Sequence, residues 1–214
     1  MASTLLFIRH GHSVANRDEL YGGNVDFDLT ETGLAQAKCV ADFVAKTYKV
    51  DAVVSSPLIR AYKTACAVAE KFGLPVSTDE RLREIYGGVW EGLPYADIAR
   101  DYPEDFAMWQ KDISRVLPPK GESVAEVQKR ALEAVRDIAM ANDGKTVAVV
   151  AHRCLIRTLQ CHWENRALAD INACAWLPNC SVSEVVYENG VITPVNVGQA
   201  DFMGAFATPA ATAM

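Results

Sequence analysis

The chain has 214 residues, which is enough for one large domain with a substantial core. Its net charge of -6 offers no basic excess for binding nucleic acid, and no apolar run approaches the roughly 20 residues of a membrane span. The N-terminus lacks a basic stretch ahead of an apolar segment, so we expect no signal peptide.

The six cysteines lie at positions 39, 66, 154, 161, 174 and 180, and none forms a CxxC pair. A chain of this length does not need a disulfide framework. We therefore expect free thiols that behave mostly as small core residues, in a reducing, cytoplasmic setting.

Strands and helices alternate in the N-terminal part of the chain. An apolar run predicts a strand at 4–9, and a helix follows at 30–47 with Thr30 as a candidate N-cap. A short buried strand at 51–55 precedes a helix at 58–72, where apolar residues recur at helical spacing.

The same alternation continues toward the C-terminus. Residues 123–126 (Ser-Val-Ala-Glu) form a capping-box pattern ahead of a long helix. The run 145–151 is almost entirely apolar, which is typical of a strand covered by helices on both faces, and another helix begins near Cys154. Two final strands are predicted at 181–187 and 191–197, joined by a Glu-Asn-Gly turn.

This pattern predicts an α/β fold, a three-layer α/β/α sandwich with a mostly parallel central sheet. We assign residues 1–204 to a single domain that carries a small helical cap insertion at about 91–120. Residues 205–214 are small and weakly patterned, and we expect them to form a loose C-terminal tail.

Charged residues and histidines follow three of the predicted strands. Arg9 ends the first strand and His10 follows it, Arg60 lies in the helix after the second, and His152 and Arg153 follow the 145–151 strand. Because ligands of open α/β sheets bind beyond the carboxyl ends of the strands, we expect these side chains to share one site.

These residue types favour phosphoryl transfer. The planar guanidinium of arginine binds phosphate oxygens in pairs, and a neutral imidazole is a nucleophile that can carry a phosphoryl group. The reaction then needs a proton for the leaving oxygen. Glu84, which lies between the apolar residues Leu82 and Ile85, is our candidate for that acid.

Four segments, "IRHGHSVAN", "SSPLIRAYKTA", "LREIYGGVWEG" and "AHRCLIRTL", resemble in order the motifs of the histidine phosphatase superfamily, in its phosphoglycerate mutase-like branch. The resemblance covers most of residues 4–165. It implies an α/β/α sandwich, a small phosphorylated substrate, and neither metal nor other cofactor. It also implies a phosphohistidine on His10, a phosphoryl clamp by Arg9, Arg60 and His152, a phosphate contact by Asn16, and proton donation by Glu84.

Two residues depart from the family pattern. His12 stands where glutamate or glutamine is usual; we interpret it as having no role, with orientation of His10 or a substrate contact as alternatives. Arg153 stands where glycine is common, and it either adds a substrate contact or turns away to pair with an acid. His162, Cys154 and Cys161 could indicate a metal site, but the lack of a paired ligand motif favours core packing.

Hydrolysis and mutase transfer would share the same phosphohistidine. The predicted cap holds six acidic and four basic residues, which is unfavourable for binding a carboxylate-bearing phosphoglycerate. We therefore predict a phosphomonoester hydrolase, with mutase transfer and a non-catalytic phosphate-binding relative as alternatives. Self-association as a homodimer stays open. Four aromatic residues of the cap either face the substrate or pack the cap onto the core: Tyr95, Tyr102, Phe106 and Trp109.

Overall fold

The computed structural model describes residues 1–175 and 177–208, which form a central sheet with helices on both faces. The strands are β1 (Ser3–Arg9), β2 (Ala52–Ser55), β3 (Val76–Thr78), β4 (Thr146–Ala151), β5 (Val182–Glu188) and β6 (Val191–Gln199). The α-helices are α1 (Val14–Arg17), α2 (Glu31–Thr47), α3 (Ile59–Glu70), α4 (Tyr95–Asp101), α5 (Pro103–Lys111), α6 (Val124–Ala141) and α7 (Arg153–Trp163).

The sheet has the strand order β3-β2-β4-β1-β5-β6. The first four strands are parallel, while β5 and β6 add an antiparallel edge. Arg9 is in register with Ala151, and Ser55 with Val150, so β1, β4 and β2 end nearly level with one another. The mostly parallel sheet expected from the sequence is confirmed, and its carboxyl edge collects the residues that follow these strands.

Both faces of the sheet are covered, which explains why the central strands are apolar throughout. Along β1, Leu5 and Phe7 pack into the core beneath α6 and α7, while Leu6 and Ile8 pack into the core beneath α2 and α3. Because successive side chains point to opposite faces, a strand between two helical layers must be apolar at every position. The predicted three-layer sandwich is therefore confirmed.

The predicted helix starts are also confirmed. The Thr30 hydroxyl accepts a hydrogen bond from the Gly33 N–H at 3.1 Å at the start of α2. Ser123 and Glu126 form both halves of a capping box at the start of α6. The sequence prediction missed β3, because this strand has only three residues and mostly exposed side chains, which leave no apolar pattern.

The segment 91–120 contains α4, α5 and a 3-10 turn at Ile113–Arg115. Its aromatic side chains pack inward: the Trp109 ring lies 5.7 Å from that of Trp90 and 5.4 Å from that of Tyr21, between centroids. Tyr102 packs in the same way against Trp90, at 6.1 Å. These contacts attach the segment to the rest of the fold beside the carboxyl edge of the sheet.

The chain returns toward α2 near its C-terminus. The Phe202 ring stacks on Phe43 at 4.1 Å between centroids, and the Gln36 amide donates to the Phe206 carbonyl at 2.8 Å. Of the tail expected at 205–214, residues 209–214 lie outside the described residues. Within the described ranges, every helix is too short or too polar to cross a bilayer.

Candidate active site

A cavity of about 290 Å³ opens beyond the carboxyl ends of the parallel strands. Six of the seven residues predicted from the sequence lie on its wall: Arg9, His10, Asn16, Arg60, Glu84 and Arg153. The seventh, His152, is fully buried, and its ring lies 5.1 Å from that of His10 between centroids. The fold thus brings together residues that are up to 144 positions apart in the sequence.

His10 has a defined orientation and proton arrangement. Its Nδ1 lies 2.7 Å from the Gly11 carbonyl oxygen, and a carbonyl can only accept, so Nδ1 carries the proton. The Nε2 atom therefore keeps its lone pair. Burial, followed by the charges of Arg60 and Arg9, holds the pKa of His10 well below 6.5. The ring is a neutral imidazole beside two guanidiniums.

His152 lies beside His10, at the N-cap position of α7. Its Nε2 lies 2.8 Å from the Ser56 hydroxyl oxygen, and that oxygen accepts a hydrogen bond from the Leu58 N–H. Burial and the charge of Arg60 hold the pKa of His152 well below its ordinary value. Its Nδ1 is buried and has no hydrogen-bond partner within the described ranges. If Ser56 donates its proton to Nε2, the remaining Nδ1–H is a donor for a bound anion.

Arg60 is held by main-chain carbonyls. Its two terminal nitrogens donate to Val25 O at 2.9 Å and Gly23 O at 2.6 Å. Carbonyls orient a guanidinium without cancelling its charge, so Arg60 can still attract an anion. Burial lowers the pKa of Arg60, because the charged form loses its hydration.

Arg9 lies at the end of β1 and is 5 % exposed. Its Nη1 donates to the Leu177 carbonyl at 2.6 Å. Burial, followed by the charge of Arg153, lowers the pKa of Arg9 to about 9, and Glu84 acts in the opposite direction. A phosphate dianion would favour the charged form of this arginine.

Glu84 is fixed through both carboxyl oxygens. Oε1 accepts from the Ile85 N–H at 3.0 Å, and Oε2 accepts from the Cys154 N–H at 3.2 Å. The loop behind it is held by Arg130 of α6, whose guanidinium donates to the carbonyls of Arg81, Arg83 and Glu84. Sequence reasoning missed Arg130, because an arginine within an amphipathic helix carries no signal of a contact 46 residues away.

Asn16 and Asn179 join the two loops at the carboxyl edge of β1. The amide oxygen of Asn16 accepts from the Ser13 N–H at 3.0 Å and from the Asn179 amide at 3.3 Å. The buried Asn179 also donates to the His10 carbonyl at 3.0 Å. Sequence reasoning missed Asn179, which lies in a loop without a recognisable motif.

Both departures from the family pattern lie on the cavity wall. The Nδ1 of His12 is 3.0 Å from the Thr30 hydroxyl, which donates to the His12 carbonyl. Burial lowers the pKa of His12, as does the charge of Arg9. Arg153 is the first residue of α7 and acts on the pKa of Arg9 more strongly than any other charge.

The charges of the cap lie elsewhere. Of its residues, Tyr95, Trp109 and Ile113 line the cavity, whereas its acidic and basic side chains are not among the described lining residues. The net acidity of the cap therefore does not set the charge around a ligand. Among the described residues, His162, Cys154 and Cys161 do not form a cluster that could hold a metal ion. Cys161 contacts Cys174 at 3.5 Å, and His162 is exposed.

The sequence of the chain is similar to those of known phosphatases. The sequence model of the histidine phosphatase superfamily (branch 1) matches residues 5–199. The chain is 35% identical over 157 residues to phosphoserine phosphatase 1 of Hydrogenobacter thermophilus, which covers 73% of this chain and 74% of that one. It is also 35% identical over 162 residues to the glucosyl-3-phosphoglycerate phosphatase of Mycolicibacterium vanbaalenii, covering 72% and 71%.

Among solved structures, YhfR of Bacillus stearothermophilus superposes with a TM-score of 0.90 at 29% identity, covering 94% of this chain and 99% of that one. The family expected from the four sequence segments is confirmed by these matches. The chain is an enzyme of the histidine phosphatase superfamily, in its branch 1.

Proposed function

We propose that this enzyme hydrolyses small phosphomonoesters through a phosphohistidine on Nε2 of His10. The observation that carries the proposal is the hydrogen bond from Nδ1 of His10 to the Gly11 carbonyl. It assigns the proton to one nitrogen and leaves the other as a neutral nucleophile at the cavity wall. The relatives named as phosphatases support hydrolysis as the overall reaction.

In the first step, Nε2 of His10 attacks phosphorus and the bond to the leaving oxygen breaks. Arg9 and Arg60 would bind the phosphoryl oxygens, and the Nδ1–H of His152 would donate to another. Asn16 supports the same role, because its recorded contacts use the amide oxygen and its amide N–H groups can face the ligand. Positioning and charge neutralisation account for most of the catalysis of phosphoryl transfer.

Glu84 would supply the proton for the leaving oxygen, which then departs as an alcohol. In the second step, water attacks phosphorus, the Glu84 carboxylate accepts a proton from that water, and the N–P bond of His10 breaks. Orthophosphate is released, and both residues return to their starting states. The two main-chain hydrogen bonds to Glu84 support this dual role, because they hold the carboxyl group in one place through both steps.

We further propose that the reaction needs no metal, since the arginines supply the positive charge that a cation would otherwise provide. The six cysteines are free thiols, which supports a cytoplasmic site of action. A mutase would use the same phosphoenzyme but return the phosphoryl group to a second oxygen of the substrate, so the fate of that group separates the two reactions.

The test is direct chemical detection of the intermediate. We expect rapid mixing with labelled p-nitrophenyl phosphate in chelator, followed by a base quench, to leave acid-labile, base-stable phosphate on His10. His10→Ala should abolish the label, whereas Arg136→Gln on an exposed face of α6 should retain it. Label that persists in His10→Ala, or that disappears in chelator, would overturn the mechanism. Label passing to an acceptor alcohol in preference to water would indicate a mutase.

A further inference from the structure

Helix α7 presents two arginines to the cavity beyond the predicted phosphoryl clamp. Arg153 is the first residue of the helix and Arg157 lies one turn later, and both line the cavity. Residues four positions apart occupy the same face of a helix. The two side chains therefore form one cationic patch, which we call the α7 arginine pair.

The surroundings of the α7 arginine pair make a second anion favourable. The described wall of the cavity carries four arginines but two glutamates, Glu19 and Glu84, in a protein of net charge -6. Acid catalysis requires a protonated, neutral Glu84. A phosphate dianion and Glu19 then supply three negative charges against the four arginines, which leaves one positive charge unbalanced. That charge matches a single carboxylate.

The contacts of Arg157 indicate where a carboxylate would bind. Its Nη2 donates to the Ile171 carbonyl and to the Asn172 side chain, which holds the guanidinium against the wall. Its Nε is buried and lacks a hydrogen-bond partner among the residues described. Burial and the nearby charge of Arg153 lower the pKa of Arg157, so the two like charges oppose one another. An anion between them would relieve that repulsion.

The pair is also close enough to the reaction centre to contact the same small molecule. Arg153 is the charged neighbour with the largest effect on Arg9, and the N–H of the next residue, Cys154, donates to Glu84. The leaving group must lie beside Glu84 if that residue protonates it. A substituent on the leaving group would therefore lie near the start of α7, in the cavity that Arg153 and Arg157 also line.

We infer that the α7 arginine pair is a second anion subsite that selects phosphomonoesters of small hydroxy acids, by binding a carboxylate on the leaving group. The inference rests on the proposed function and deepens it. It differs from the expectation drawn from the acidic cap, because the charges that face the leaving group come from α7.

The test compares two substrates that differ at one carbon. In 3-phosphoglycerate the leaving group carries a carboxylate, and in glycerol 3-phosphate a hydroxymethyl group replaces it. We expect the wild-type enzyme to hydrolyse 3-phosphoglycerate with a kcat/KM at least about tenfold higher. Arg153→Gln should reduce that ratio to within about threefold, mainly through KM. Arg136→Gln, an exposed arginine on α6, should leave both rates unchanged.

Two results would overturn the subsite: a wild-type ratio near one, or an equal loss on both substrates in Arg153→Gln, which would place that arginine on the phosphoryl group. Arg157→Gln should act in the same direction, but its bond to Ile171 also supports the fold, so Arg153→Gln is the deciding variant.

A binding measurement separates this inference from the proposed function. Calorimetric titration of His10→Ala with the two compounds should show tighter binding of 3-phosphoglycerate, and the difference should shrink when Arg153→Gln is added. If neither compound is hydrolysed by the wild-type enzyme but this difference persists, the proposed function fails and the subsite stands. Equal dissociation constants would sink the subsite whatever the turnover.

Discussion

The imidazole rings of His10 and His152 lie 5.1 Å apart between centroids and are tilted by 55°. Both rings are buried. Burial and the positive charges of the nearby arginines disfavour protonation of either ring. Two imidazolium ions at this distance would repel one another, whereas two neutral rings pack without penalty. Both pKa values are therefore held well below 6.5, and the pair is neutral near pH 7, as a histidine nucleophile would require.

The first prediction concerns the titration of His10 in the free enzyme. Because burial and two arginines depress its pKa, the ring should protonate only well below pH 6.5. Histidine-selective ¹⁵N NMR across pH 4–8 measures this directly, with the same protein unfolded in denaturant as the reference. A His10 resonance that titrates together with or above the histidines of the unfolded chain would contradict the assignment.

The second prediction concerns stability in acid. A histidine with a depressed folded-state pKa binds fewer protons than in the unfolded chain, so the free energy of unfolding falls as the pH drops below 6.5. Each such group contributes a slope of up to about 1.4 kcal/mol per pH unit in that window. We expect denaturant unfolding of the His10→Asn, His152→Asn double variant to show a shallower slope than wild type. An unchanged slope between pH 6.5 and 5 would count against the buried neutral pair.

The third prediction concerns Glu84 as the proton donor. An alkoxide leaves poorly without a proton, whereas nitrophenolate departs without help. Glu84→Gln should therefore slow phosphoenzyme formation at least about tenfold more with an alkyl phosphate than with p-nitrophenyl phosphate, equivalent to roughly 1.4 kcal/mol. Single-turnover measurements give the two rates, and Glu80→Gln, at an exposed position nearby, is the control. Equal losses on the two substrates would show that another group donates the proton.

The fourth prediction concerns Arg130, which holds the Glu84 loop through three carbonyls and pairs with Glu122 at 2.7 Å. Arg130→Gln should mimic Glu84→Gln in its dependence on the leaving group, because it displaces the same carboxyl group. The two changes should be non-additive in a double-mutant cycle measured on the alkyl phosphate. A merely structural role for Arg130 would instead lower both substrates' rates equally and add to the loss from Glu84→Gln.

The fifth prediction concerns the contact between α2 and the loop that follows His10. A Cβ atom built on Gly33 would lie 2.0 Å from the His12 carbonyl oxygen, which belongs to the main chain and cannot move aside cheaply. Gly33→Ala should destabilise the fold by about 1–3 kcal/mol and reduce activity further by shifting His12 and its neighbours. Leu34→Ala, at the next position, where the side chain is 45% exposed, should lower the melting temperature much less. Similar melting temperatures for the two variants would contradict the steric argument.

Several features of this protein could be predicted from local sequence, because local chemistry specifies them. The apolar run of β1 has to lie between two layers, and it ends where Arg9 and His10 begin. Thr30 and Ser123 start their helices through hydrogen bonds to residues three positions away. Parallel strands align their carboxyl ends, so the residues that follow them were expected to share a site, and they do.

The residues that support the candidate site and the charges on its wall were decided by the tertiary structure. Asn179 donates to a carbonyl 169 residues away, and Arg130 reaches a loop 46 residues before it. Likewise, the acids and bases of the cap are visible in the sequence, but Arg153 and Arg157 of α7 are charges that line the cavity. Such contacts depend on how distant elements pack, and a side chain's local sequence does not encode which distant carbonyl or cavity it will meet. Sequence thus determined the fold class and the candidate site residues, whereas packing decided which groups hold them in place and which charges line the cavity.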